Sequence, residues 1–350
     1  MKEVKMKGIR RTILTAGVNM SRMLKGWMLV SLLVCVFAFN ASAAKIIRMG
    51  TPEPRGDTPA FIGMLLFEKL VEEKSNGSLE VQLFPSLQLG KIVEQIEGVR
   101  DGSQEMMMST PAWFNRFFQK IDVLSLPYLV TDWKSVDRLI KSKPFKDLLD
   151  EAERETGIKI VGAFPSGFRN VLNSVRPVNS MSDLNGIKLR LQDSKVHLAT
   201  FKALGANPIA LPWAEVYLAV QTGVVDGLEI PMTAIDQGKF YEVAPYISTT
   251  RHFFATYLIY MNKEFYDDLT KTEQQIVDDS IRAAEMVDLL LAETSEGVSS
   301  QTIVSRGGKV NAVSDSEITA MQKAVQPVYE EFGKVFEPTL SQLQEAAAGK

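Results

Sequence analysis

Apolar and polar positions alternate with period two from Ile187 to Gln192. Ile187, Leu189 and Leu191 interleave with Lys188, Arg190 and Gln192, which predicts a strand with three aliphatics on one face and Arg190 on the other. Asp193-Ser194 then offers an N-cap for a helix that stops at Gly205. Pro208 to Leu211 is short and apolar, as a buried strand would be. Pro212 opens a second helix with Glu215 in its first turn and Gly223 at its end, and Val224 to Gly227 leads into another strand. Strand, helix, strand, helix, strand in about 45 residues implies a parallel sheet, and ligands gather at the carboxyl ends of such strands.

The rest of the chain continues in this way. Lys45 to Met49 reads as a first strand, and the turn-rich loop Thr51 to Pro59 opens a helix through Phe61, Leu65, Leu66, Leu70 and Val71 that stops at Asn76-Gly77. Leu79, Val81 and Leu83 mark a second strand. Ile92, Val93, Ile96 and Val99 mark a helix closed by Gly102, and Met106 to Met108 a short buried run that reads as core. Ile158 to Gly162 is a strand running into Phe164-Pro165-Ser166-Gly167-Phe168-Arg169, a segment suited to a crossover between domains. Tyr257 to Met261 is a further strand. From Thr270 a long helical pattern keeps Val277, Ile281, Ala284, Val287, Leu291 and Val298 on one face until Gly307-Gly308. About 35 residues at 1.5 Å each span about 50 Å, enough to brace two domains. Asp315 to Lys350 reads as helical with a loose Ala/Gly tail.

The start of the chain changes the picture. A leader with Lys2, Lys5, Lys7, Arg10, Arg11, Arg22 and Lys25, an apolar run from Trp27 to Phe39 and the small-x-small triplet Ala41-Ser42-Ala43 make residues 1–43 a secretory signal peptide, with an uncleaved anchor as the alternative. They carry seven of the 39 basic and one of the 42 acidic residues, so the mature part keeps 32 and 41, a net charge of −9. That balance argues against nucleic acid as a partner. The single cysteine, Cys35, lies in the leader, which leaves the mature chain without disulfide, thiolate ligand or thiol nucleophile.

Catalytic chemistry is hard to find. The two histidines, His197 and His252, have no metal-binding spacing and read as structural or solvated, and there is no nucleophile elbow or acidic calcium loop. An extracytoplasmic hydrolase is the natural enzyme alternative, and no catalytic residue, metal or cofactor is expected. Arg190, near a strand's carboxyl end, could clamp a ligand carboxylate or phosphate with its planar fork, or be a surface arginine or part of a structural ion pair.

Six short motifs occur in order: F-P-S-L-Q-L-G (84–90), L-P-Y (126–128), D-L-N-G-I-K-L-R (183–190), A-L-G-A-N-P (203–208), E-V-Y-L-A-V-Q-T-G-V-V-D-G (215–227) and K-F-Y-E-V (239–243). In them the mature chain resembles the solute-binding proteins of tripartite ATP-independent periplasmic (TRAP) transporters, the DctP-type family. The resemblance implies an α/β bilobal periplasmic-binding-protein fold: two α/β domains with mixed sheets, joined by crossover strands and a long bracing helix. Domain I takes 45–166 plus 256–295, and domain II takes 167–255 plus 296–340. It also implies a monomer or homodimer that closes on an organic acid and delivers it to membrane permease subunits; an ABC importer or a sensor kinase is the alternative recipient. The family arginine that pairs with the carboxylate matches Arg190, and a second matches Arg169, placed with it on adjacent strand ends. Trp213, Thr110 and Trp113 match positions beside the ligand, and Glu53 and Arg55 lie in a loop that could reach it. Where the family has E-N-P, this chain reads Glu229-Ile230-Pro231, and Ile230 offers no side-chain hydrogen bond. With Trp113, Trp213 and Phe168, this suggests a ligand with an aromatic or aliphatic body rather than a heavily hydroxylated sugar acid.

Overall fold

Two very long strands carry the architecture. The computed structural model describes residues 44–350; the expected signal peptide lies outside them. Strand β4 (Ile158–Asn173) and strand β8 (Tyr246–Asn262) run antiparallel along nearly their whole lengths, with register shifts at three bulges. On the β8 side, β3 (Met106–Ser109), β1 (Lys45–Gly50) and β2 (Leu79–Phe84) follow, with β1 parallel to both its neighbours. On the β4 side come β7 (Gly227–Pro231), β5 (Lys188–Leu191) and β6 (Asn207–Ala210), with the predicted parallel pairings of β5 to β6 and β7. β9 (Lys309–Ala312) pairs with the far end of β8. The mixed sheets expected for two domains are thus hydrogen-bonded into one nine-stranded sheet, because β4 and β8 pass through both ends.

Helices form where capping and apolar spacing agree. Helix α1 (Pro59–Ser75) is capped by the Thr58 hydroxyl and stopped by Asn76 in the left-handed conformation. α2 (Ile92–Asp101) ends at Gly102, α3 (Trp133–Lys141) and α4 (Lys143–Thr156) form a pair, and α5 (Lys195–Ala203) starts at the Ser194 cap. After α6 (Val216–Gln221) and α7 (Met232–Gln237), α8 (Lys271–Ser305) runs for 35 residues from a Thr270/Glu273 capping box. Val277, Ile281 and Ala284 of α8 enter the core built on β1 and β3, whereas Ile303 enters the core built on β7. One rigid element therefore braces both ends of the sheet.

Four expectations need correction. The Pro208 strand is not buried: β6 is a partly exposed edge. β7 inserts between β4 and β5, so Arg169 and Arg190 are not on adjacent strands. The buried face of α8 beyond Ala284 is Asp288, Ala292, Ser299 and Ile303, while Val298 is 64% exposed. The helical repeat keeps that face in line and carries Val298 off it. The C-terminal tail is not loose. It forms α9 (Thr339–Ala348), with Leu343 and Ala347 buried and the Ala347 carbonyl accepting from Arg138 Nε at 2.8 Å.

Candidate functional site

Arg190 is 1% exposed on β5, although strand alternation places it opposite the aliphatic face. Both faces of this strand are covered, and Gln192 is buried as well. The guanidinium donates from Nε (3.0 Å) and Nη2 (2.8 Å) to the Leu211 carbonyl, and Cζ sits 5.7 Å from the centre of the half-buried Trp213 ring. Its Nη1 is buried with no partner. Burial pulls the group down to about 9, with Glu229 acting the other way, so it stays protonated at neutral pH.

Beside Arg190 a cavity opens between the two ends of the sheet. From the first end come Glu53, Ile92, Ser109, Thr110 and Trp113, and from the second Arg190, Gln192, Trp213, Ile230, Pro231 and Ala234; Ser166, Arg169, Ala255 and Tyr257 of the long strands form the floor. Thr110 stands at the N-cap of the one-turn helix Pro111–Phe114, but its hydroxyl makes no cap bond there. It accepts instead from Gln192 Nε2 at 2.9 Å, across the cavity. Arg116 with Asp193, and Ser194 with Asp122 (3.2 Å), tie the same two sides together. Trp113 and Ile230 are 6% and 3% exposed, so the cleft is closed over them.

Charge is arranged to leave one cation unmatched. Arg169 forks onto Glu229 through Nε and Nη2. Arg169, ahead of a hydrogen bond from His252, holds the Glu229 carboxyl far below the usual carboxylate range against its burial. Burial keeps His252 and His197 neutral, His197 being pushed down to about 3. Glu53, half-buried, accepts from the Tyr257 hydroxyl at 2.5 Å, and burial raises its carboxyl above the usual range. Arg190, in the wall of the same cavity, keeps a donor without a protein partner.

The structure brings together Arg190, Arg169, Trp213, Ile230, Thr110, Trp113 and Glu53. It does not bring Phe168 to them: that ring is fully buried, edge-on to Trp133 and Phe254 and covered by Arg251 at 3.8 Å. Arg55 is exposed and lies over Phe61. Gln192 and Tyr257 were missed. Their signal was present in the strand alternation, since each is the polar member of an apolar strand, but nothing in the sequence says which strand face is covered. Among the described residues no group of three or more His, Cys, Asp or Glu could hold a metal ion, and no helix is long and apolar enough to cross a membrane.

Residues 52–335 match the profile of bacterial extracellular solute-binding protein, family 7. The 2,3-diketo-L-gulonate-binding periplasmic protein YiaO of Escherichia coli is 33% identical over 251 residues, covering 72% of this chain and 76% of that protein. The sialic acid-binding periplasmic protein SiaP of Vibrio cholerae is 26% identical over 315 residues, covering 90% and 97%. The crystal structure of the sugar acid binding protein DctPAm from Advenella mimigardefordensis, in complex with galactonate, superposes with a TM-score of 0.84 at 27% identity, covering 87% of this chain and 98% of that one. The chain belongs to bacterial extracellular solute-binding protein family 7, the DctP-type solute-binding proteins of TRAP transporters.

Proposed function

We propose that this chain is a periplasmic, non-enzymatic carrier that captures an organic acid in the cleft around Arg190 and hands it to a TRAP permease. The observation that carries this reading is Arg190 Nη1, a buried donor on a buried cation with no protein partner. An unmatched buried charge is costly, and a carboxylate meeting the guanidinium removes that cost while gaining charge-assisted hydrogen bonds. The relatives' names, with a diketo-gulonate, sialic acid and galactonate as ligands, support an acid as the cargo.

The mechanism follows from the long strands. Lobe I (45–166 plus 256–295) and lobe II (167–255 plus 296–340) turn about β4 and β8, and the Asp122–Ser194 bond and the Arg116–Asp193 ion pair form on closure. Residues 1–43 act as a cleaved export signal. A small monocarboxylate should raise the melting temperature by mass action, and Arg190→Ala should abolish that shift. A variant that keeps wild-type affinity would overturn the clamp, and recovery of chemically altered ligand after incubation would overturn the carrier reading.

A further inference from the structure

A second cavity lies beyond the Thr110–Gln192 hydrogen bond. It shares Thr110, Arg169, Gln192 and Ala255 with the first, so the two meet at these four residues. Its wall is contributed by Leu124, Leu126, Leu129, Val136, Phe145 and Phe253. The wall carries no unmatched charge: Arg169 is held by Glu229, and His197, which also lines it, is neutral through burial. Its polar side chains are Ser125, Thr256, His197 and the shared Thr110 and Gln192. The bond between the neutral side chains of Thr110 and Gln192 lies where the compartments meet, and breaking it strands no charge.

We infer that the ligand site has two compartments, and that the cargo is a monocarboxylate whose hydrocarbon extension passes between Thr110 and Gln192 into the apolar one. This inference rests on the Arg190 reading for the carboxylate end and adds the chemistry of the other end. It agrees with Ile230 in the first compartment, which offers a hydroxylated body no side-chain partner. A polyhydroxylated acid would bring hydroxyls against an aliphatic and aromatic wall and leave them unpaired.

Isothermal titration of the purified protein with propanoate and with octanoate tests it, the readout being the ratio of the two Kd values within each protein. Burial is worth about fourfold in affinity per methylene, so octanoate should win by about 60-fold if three of its five extra methylenes enter the compartment. Val136→Phe and Leu126→Phe each fill part of the wall and should collapse the ratio at least tenfold. The two variants lie on different segments, and a within-protein ratio is read only from protein that still binds. Arg190→Ala should remove binding of both acids. A wild-type ratio near one with Arg190→Ala inactive would overturn the compartment and leave the clamp standing. An unchanged ratio in both Phe variants would also overturn the compartment. Failure of the wild type to bind either acid would overturn both readings.

Discussion

Arg169 of β4 and Glu229 of β7 meet in a buried two-point ion pair, Nε to Oε2 at 2.5 Å and Nη2 to Oε1 at 2.8 Å, with Nη2 also donating to the Glu229 carbonyl at 2.7 Å. His252 Nε2 adds a third contact to Oε2 at 3.1 Å, and Thr250 Oγ1 holds the other ring nitrogen at 2.8 Å. The two arginines of the cleft are therefore unlike. Arg169 is a fixed member of a neutralised network that shapes the floor, and Arg190 presents an unmatched donor.

Removing one member of the network should be severe. Glu229→Ala leaves Arg169 buried without its counter-ion and should cost about 3–5 kcal/mol of unfolding free energy. Denaturant titration reads this directly, and a loss below about 1 kcal/mol would show that the pair does not need to be closed.

Ile230 lines the cavity beside Arg190 and offers hydroxyls no side-chain partner. Ile230→Asn places an amide in the cavity and should raise affinity for a polyhydroxylated acid such as galactonate by up to about tenfold, the worth of one good hydrogen bond. The same substitution should weaken binding of an aliphatic acid. Titration of both acids against both proteins checks the crossing of preferences.

Gly227 is required by a close approach rather than by its torsions. A Cβ built there would lie 2.1 Å from the Leu172 carbonyl oxygen and 2.7 Å from the Asn173 Cα. Both are backbone atoms of β4 that cannot swing aside. Gly227→Ala should push β7 away from β4 and lower stability by about 1–3 kcal/mol, with a fall in melting temperature as the measure.

Two acids of α8 should make stability fall as pH rises. Burial pushes Glu285 from 4.5 up to about 7, partly offset by the Ala163 N–H, which donates to it at 2.6 Å, and by Arg282. Asp288, with neither carboxylate oxygen bonded, is pushed well above the ordinary range by burial and then by Glu53 and Glu285. A carboxyl whose folded pKa is raised stabilises the fold below its unfolded pKa, and that contribution is lost as pH climbs through the folded value. For Glu285 the window is 4.5 to about 7. Glu285→Gln and Asp288→Asn should match the wild type in melting temperature at pH 4.5 and exceed it at pH 8. Parallel melting profiles across that range would count against the assignment.

Local pattern determined much of this protein. Caps at Thr58, Ser194 and Thr270, stops at Asn76 and Gly102, and the period-two runs of β2 and β5 are legible because they depend on neighbours within a few residues. Motif order pointed to Arg190, Trp213 and the Ile230 anomaly. Other features follow from contacts between residues far apart in sequence, which no local pattern encodes. Insertion of β7 between β4 and β5 separated the two arginines and gave Arg169 its partner 60 positions away. The same long-range packing put Asp288, rather than Val287 or Leu291, on the fully buried face of α8. It also closed the strand face bearing Arg190 and Gln192, and set a second, apolar cavity against the first. Sequence chose the elements; tertiary packing decided which buried polar groups were left without partners, Arg190 Nη1 among them.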